Sequence, residues 1–141
     1  DGRPLTGYEA LILASLVERE ARVEAERPMI AAVFLNRLAK GMKLQTDPSL
    51  CYHPATYREA PTPTHRRDET NPYNTYAIKG LPPTPIASPG RASMLAVHQP
   101  AATEALFFVA RPDGSGRHLF ARTFEEHKEN VRVYRKGRVG K

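Results

Sequence analysis

Apolar residues fill the stretch from Ala10 to Val17 with scarcely a polar interruption, and Glu18, Arg19 and Glu20 follow at once. Just ahead, Thr6 and Glu9 have the spacing of a capping box, in which a hydroxyl and a carboxylate satisfy backbone N–H groups reciprocally. This pattern predicts a helix from about Gly7 to about Arg22 or slightly beyond. Its apolar residues cover the whole circumference, so the helix is expected to be buried on all sides rather than amphipathic. Pro28 suits the first position of a second helix. Ile30, Val33, Phe34 and Leu38 give that helix one apolar face, and Gly41 ends it.

Periodicity then breaks down. Met42 to Tyr52 reads as short extended pieces around an Asp47-Pro48 turn. His53 to Pro72 is polar and proline-bearing and reads as a long surface loop, a kind of segment that often carries function. From Tyr73 to Gly90, Gly80, Pro82, Pro83 and Pro85 exclude regular helix or central strand, while each proline fixes a backbone torsion. Ser88-Pro89 is expected to open a third helix carrying Met94, Leu95 and Val97, stopped by Pro100. Leu106 to Ala110 and His118 to Ala121 read as hairpin partners across "RPDGSGR". Thr123 and Glu126 form a second capping box, opening a last helix to about Tyr134. Helices and short strands without a regular βαβ rhythm predict an α+β fold. A single compact domain over residues 1–141 is expected, with helices packed around short, mostly antiparallel strands.

Length and charge narrow the picture. The chain has 141 residues, enough for one domain with a real core. A net charge of +6 implies attraction to anionic partners. Part of that excess lies in the basic C-terminal end, about 135–141, which reads as a solvated or frayed tail. Basic residues are not interleaved with aromatics and no recognition motif is visible, so nucleic acid is not expected as a partner. The lone Cys51 excludes an internal disulfide. His118 and His127 have no third ligand at metal spacing, so neither a metal nor another cofactor is expected.

The acids carry the candidate chemistry. Glu18 and Glu20 lie about 200° apart on the first helix and cannot share one proton. At least one should be shielded from solvent, which raises a carboxyl pKa and suits a general acid. Spacing alone also allows each glutamate to pair with an arginine, Arg22 or Arg27. Asp47 is either a turn cap or a second functional acid. Gln45, Asn74 and Tyr76 offer amide and hydroxyl groups suited to sugar contacts, and Tyr52, Tyr73 and Tyr76 could stack on sugar faces. Asn36 and Arg37 read as supporting residues, with an ion pair from Arg37 to a first-helix glutamate as one form of support.

Taken together, "LASLVEREA", "VFLNRL", "GMKLQTDPS", "YNTYAIKGLPPTPIASPG", "LFFVA" and "HLFARTFEEH" resemble the YceG-like family, the membrane-bound endolytic murein transglycosylases. The resemblance runs from about Tyr8 to Tyr134. It implies a lytic transglycosylase that cuts the MurNAc-β-1,4-GlcNAc bond of peptidoglycan and leaves a 1,6-anhydro end instead of adding water. It also implies Glu20 as the catalytic acid and then base, with Glu18 as the neighbouring acid of the motif. Departures from the family pattern are Ala21 where threonine is usual, Thr84 in "GLPPT" and His53 after Tyr52. The resemblance further implies action in the cell envelope, outside the cytoplasm, and glycan-polymerising synthases as partners. The family's amino-terminal membrane anchor and LysM-like module are not in this chain, which on this reading is a catalytic domain. A non-catalytic glycan-binding domain is the alternative, and a hydrolase with Asp47 or Glu18 as base is a variant of the first reading.

Overall fold

A computed structural model describes residues 4–53 and 60–139. Helix α1 (Gly7–Glu20) starts as its capping box requires. The Glu9 amide donates to Thr6 Oγ1 at 3.1 Å, and the Thr6 amide donates to Glu9 Oε1 at 2.9 Å. Every residue from Ile12 to Val17 is buried, which is the all-round burial expected of a helix without a polar face. The helix ends two residues earlier than predicted. Ala21 leaves it in an extended conformation with its methyl in the core, so Glu20 is the last helical residue.

A 3-10 turn (Glu24–Glu26) leads into α2 (Arg27–Ala39), with Pro28 in its first turn. Gly41 closes it at φ 70°, a left-handed conformation that glycine adopts without strain. The short α3 (Asp47–Leu50) stands where a simple turn was expected. Pro48 fits the first turn of a helix, and Ser49 Oγ bonds back to the Thr46 carbonyl at 3.0 Å. The predicted long loop also holds a helix, α4 (Pro63–Arg67), opened by a Thr62–His65 capping box. Residues 54–59 of that loop lie outside the described residues.

The third predicted helix is α5 (Arg91–His98), and it begins at a Gly90 cap rather than at Ser88-Pro89. The acceptor that sets this start comes from another helix. Glu18 Oε1 accepts from the Gly90 amide and from Ser93 Oγ, both at 2.9 Å. Glu18 thus does for α5 what a local glutamate does in a capping box. Strands β1 (Phe107–Ala110) and β2 (His118–Ala121) form the antiparallel hairpin, with Phe108 opposite Phe120 and Ala110 opposite His118. The last helix, α6 (Phe124–Val139), runs past Tyr134 through most of the basic end predicted to fray. Gly137 explains part of that continuation. A Cβ there would come within 2.4 Å of the Pro112 ring, so only glycine lets α6 lie against the hairpin turn.

The arrangement is α+β, as the pattern predicted. α1, α2 and α5 pack on one another, and the hairpin lies between α2 and α6. Leu13, Leu16, Val17, Ile30, Phe34 and Leu44 form the centre of the core. Phe34 meets Phe108 edge to face at 5.9 Å, which joins the helical layer to the sheet. The irregular Tyr73–Gly90 segment is tied to α1 by the buried Ser15, whose Oγ accepts the Ile86 amide at 3.0 Å. Buried polar groups of this kind hold a proline-rich segment that has no ladder of its own.

Glu18 also lies 3.7 Å from the Arg27 guanidinium. The Gly90 amide, the Ser93 hydroxyl and Arg27 together hold its carboxyl below the usual range. Glu18→Ala is expected to cost about 1 kcal/mol, the usual value of a lost cap. Because the folded pKa is depressed, this margin is complete above the ordinary value of 4.5 and fades as pH falls below it. Urea denaturation of both proteins across that range checks the expectation; a margin that stayed constant into acid would contradict it.

Candidate active site

A cleft of about 620 Å3 opens beside the end of α1. Its walls come from α1 (Arg19, Glu20), the segment entering α3 (Leu44 to Pro48), the hairpin (Phe108 to Ala110, His118), α2 (Arg37), α6 (His127) and Tyr76. The volume falls within the range typical of ligand sites.

Glu20 lies at the floor. Being the last residue of a buried helix, its side chain is crowded by protein while part of it still faces the cleft. Loss of water is the largest influence on its carboxyl and pushes the pKa up; a hydrogen bond from Thr46 opposes this, as does the charge of His118 when protonated. Thr46 Oγ1 donates to Glu20 Oε1 at 2.9 Å, leaving Oε2 as the oxygen without that donor. Glu20 makes no ion pair among the described residues, so the arginine pairing that spacing allowed is not its state.

Thr46 is itself held by a buried knot of hydroxyls. Its amide donates to Thr75 Oγ1 at 2.9 Å, Thr75 Oγ1 donates to the Thr46 carbonyl at 3.1 Å, and Ser49 Oγ lies 3.0 Å from Thr75 Oγ1. All three residues are buried. Thr46 and Thr75 sit inside the "LQTDP" and "YNTY" strings, yet sequence reasoning passed over them in favour of longer polar neighbours. Gln45, which lines the cleft beside Thr46, is exposed and holds φ 52°. A non-glycine residue in that region is strained, and such strain gathers at functional sites.

Asp47 lies on the same wall and is not a turn cap. Arg66 grips it bidentately, Nε to Oδ1 at 3.1 Å and Nη2 to Oδ2 at 2.8 Å, and the Tyr76 hydroxyl donates to Oδ1 at 2.7 Å. Arg66 was not foreseen, because its helix lay hidden in a loop. Burial and the Asp47 carboxylate push the Tyr76 phenol well above its usual range, so Tyr76 acts as a donor. Asn74 is fully buried and does not reach the cleft. Its amide nitrogen lies 2.8 Å from the Asp68 carbonyl and close to those of His65 and Arg66, while its oxygen accepts the Tyr76 amide at 3.0 Å. Asn74 therefore supports the two residues that hold Asp47, instead of touching a ligand.

Glu18 and Glu20 are separated as the helical spacing required, with Glu18 turned to α5. Tyr52 stands outside the cleft wall, exposed and packed on Tyr73 at 5.0 Å. His118 reaches across the chain. Its Nδ1 lies 2.9 Å from Glu26 Oε1, and its amide donates to Glu26 Oε2 at 3.0 Å, so a buried carboxylate orients the ring on the cleft wall. Arg37 pairs with neither first-helix glutamate. It donates to the Leu106 and Lys43 carbonyls at 2.6 and 2.7 Å. Asn36 ties α2 to the approach to β1 through the Thr103 and Ala105 carbonyls, both at 2.9 Å.

Comparison with known proteins agrees with the motif pattern. The YceG-like family profile matches residues 1–133, and the chain belongs to that family. It is 39% identical over 127 residues to a Bacillus subtilis protein named endolytic murein transglycosylase, covering 90% of this chain and 34% of that one. A Streptococcus pneumoniae protein of the same name is 33% identical over 131 residues, covering 90% of this chain and 24% of that one. The chain thus spans only about a quarter to a third of the length of these relatives. A crystal structure of a yceG-like protein from Listeria monocytogenes superposes with a TM-score of 0.79 at 40% identity, covering 86% of this chain and 39% of that one.

The raised proton affinity of Glu20 has a consequence for stability. An ionised Glu20 is unfavourable in the folded protein. That penalty is absent below the ordinary carboxyl value of 4.5, grows as pH rises through it, and is complete above the raised folded value. Glu20→Gln keeps the shape and an acceptor for Thr46. Denaturation midpoints should place it above the wild type at neutral pH and level with it near about pH 4. A variant less stable at neutral pH would contradict the shielding of this carboxyl.

Proposed function

We propose that this chain is the catalytic part of a lytic transglycosylase acting on peptidoglycan glycan strands. The observation that carries the reading is a single shielded carboxyl, Glu20, on the floor of an open cleft, in a chain similar to proteins named endolytic murein transglycosylases.

In this reading Glu20 keeps its proton on Oε2, because Thr46 Oγ1 already occupies Oε1. The proton passes to the glycosidic oxygen as that bond breaks. The Glu20 anion, steadied by Thr46, then accepts the proton of the muramic acid 6-hydroxyl. That oxygen closes on the anomeric carbon and leaves a 1,6-anhydro end. An internal nucleophile is already oriented, which is worth several powers of ten in effective concentration. Hydrolysis would instead need a second carboxylate free to activate water. Neither candidate fits that task. Both Asp47 oxygens are engaged by Arg66 and Tyr76, and Glu18 is engaged with α5. Asp47 serves as a fixed negative charge on the wall. It raises the proton affinity of Glu20 and stands available to stabilise positive charge on the sugar ring. Exposed Gln45 contributes amide contacts to the strand.

The site of action in this reading is the cell envelope, outside the cytoplasm. No described helix is long and apolar enough to cross a membrane, so the attachment we infer lies outside these residues, as does any contact with glycan-polymerising synthases.

Mass analysis of the products tests the proposal. The wild-type chain incubated with isolated strands should release fragments lighter by one water than hydrolysis products. Glu20→Gln should slow release by about 10²- to 10⁴-fold, the usual share of a general acid-base group. Products carrying an added water would point to hydrolysis. Binding to strands without new ends would point to a glycan-binding domain.

A further inference from the structure

The cleft has a second polar feature that this chemistry leaves unused. Arg37, near the end of α2, is only 8% exposed, yet it faces the cleft. Its Nε and Nη1 are fixed on the Leu106 and Lys43 carbonyls, and its guanidinium carbon lies 5.0 Å from the centre of the Phe107 ring. Those partners are neutral. Among the described residues no carboxylate pairs with this buried cation, and Nη2 has no hydrogen-bond partner. A buried charge without an opposite charge is costly, and structures keep one where a ligand supplies the counter-charge.

His127 on α6 faces the same cleft. Its ring stacks on the same Phe107, with centres 4.9 Å apart, and among the described residues its buried Nδ1 has no hydrogen-bond partner. Buried polar nitrogens are seldom left unsatisfied. Phe107 therefore carries a cationic group and an unpartnered imidazole, both bordering the space that holds Glu20. Arg19 and Arg22 add positive charge to the same walls.

We propose that Arg37 and His127 form a carboxylate-binding subsite within the cleft, which takes a carboxylate carried by the glycan strand. Nη2 donates to one of its oxygens, the Nδ1–H of the neutral His127 ring reaches the other once the ring turns Nδ1 out of its buried position, and the bound anion supplies the charge that Arg37 lacks. This deepens the transglycosylase reading and rests on it. Two carboxylates of such strands have the right chemistry: the lactyl group of a muramic acid without a stem peptide, and the acids of a stem peptide. A neutral sugar hydroxyl would satisfy the nitrogens but not the charge.

Binding of four short strands to the Glu20→Gln chain, measured by calorimetry, tests the subsite without requiring turnover. The strands bear a free lactyl carboxylate, the same group as its amide, a stem peptide with free acids, and that peptide with its acids amidated. An acid strand should bind roughly tenfold or more tightly than its amide, as expected of charge-assisted hydrogen bonds. The pair that shows the difference identifies the source. His127→Phe, which keeps the stack on Phe107, should shrink that difference severalfold in the Glu20→Gln background, and Arg37→Gln should abolish it. A chain in which both acids bind within about twofold of their amides overturns the subsite, even if the wild type still forms anhydro ends. So does a preference untouched by His127→Phe. Failure to bind any strand overturns the subsite and the glycan-cutting reading together.

Discussion

The site depends on one hydrogen bond made in a place short of water: Thr46 Oγ1 to Glu20 Oε1, 2.9 Å. Desolvation favours the neutral carboxyl, while the hydroxyl favours the anion. In the proposed reaction Glu20 both gives and takes a proton, and such a group needs both influences. Too little shielding would leave Glu20 ionised with no proton to give. Too little support for the anion would make its proton hard to release. The surroundings serve this balance. The buried centre of α1, Ile12 to Val17, delivers Glu20 to the cleft. The Thr46–Ser49–Thr75 hydroxyl knot fixes the donor, and Ser15 secures the proline-rich segment that passes over α1.

Two glutamates two residues apart receive opposite environments from one helix. The 200° between them turns Glu18 toward α5, where amide, hydroxyl and guanidinium stabilise its charge, and Glu20 toward the cleft, where burial opposes it. Structural and chemical duties are thereby separated without any change of residue type. The same division recurs with the arginines. Arg66 is fully committed to Asp47, whereas Arg37 is anchored by neutral carbonyls and keeps its charge uncompensated among the described residues.

Where local rules suffice, the sequence was enough to foresee the fold. The Thr6–Glu9 box, Pro28, Gly41 and the "LFFVA"/"HLFA" pair each have a mechanism acting within a few residues, and each element stands where that mechanism puts it. Misplacements arose where distant residues decide. The start of α5 is set by Glu18, 72 residues away. The length of α6 reflects the fit of Gly137 on Pro112, and α3 and α4 are single-turn helices too short for a periodic signal. The site followed the same division. Angular spacing already separated the two glutamates, but it could not say which is shielded. Asn74 was legible as a polar residue and not as a buried strut. The roles of Thr46, Thr75, Arg66 and Glu26 rest on contacts between segments far apart in the chain, for which spacing carries no signal.

The most direct test of the central claim is the pH dependence of strand cleavage in the wild type and Thr46→Val. The near-isosteric change removes only the hydroxyl that favours the Glu20 anion. In the wild type, activity should fall on the alkaline side at a pH above the ordinary carboxyl value of 4.5, because the proposed reaction starts from a protonated Glu20. In Thr46→Val that limb should move to still higher pH. A limb that stays in place or moves down would mean that the titrating acid is not the shielded carboxyl beside Thr46.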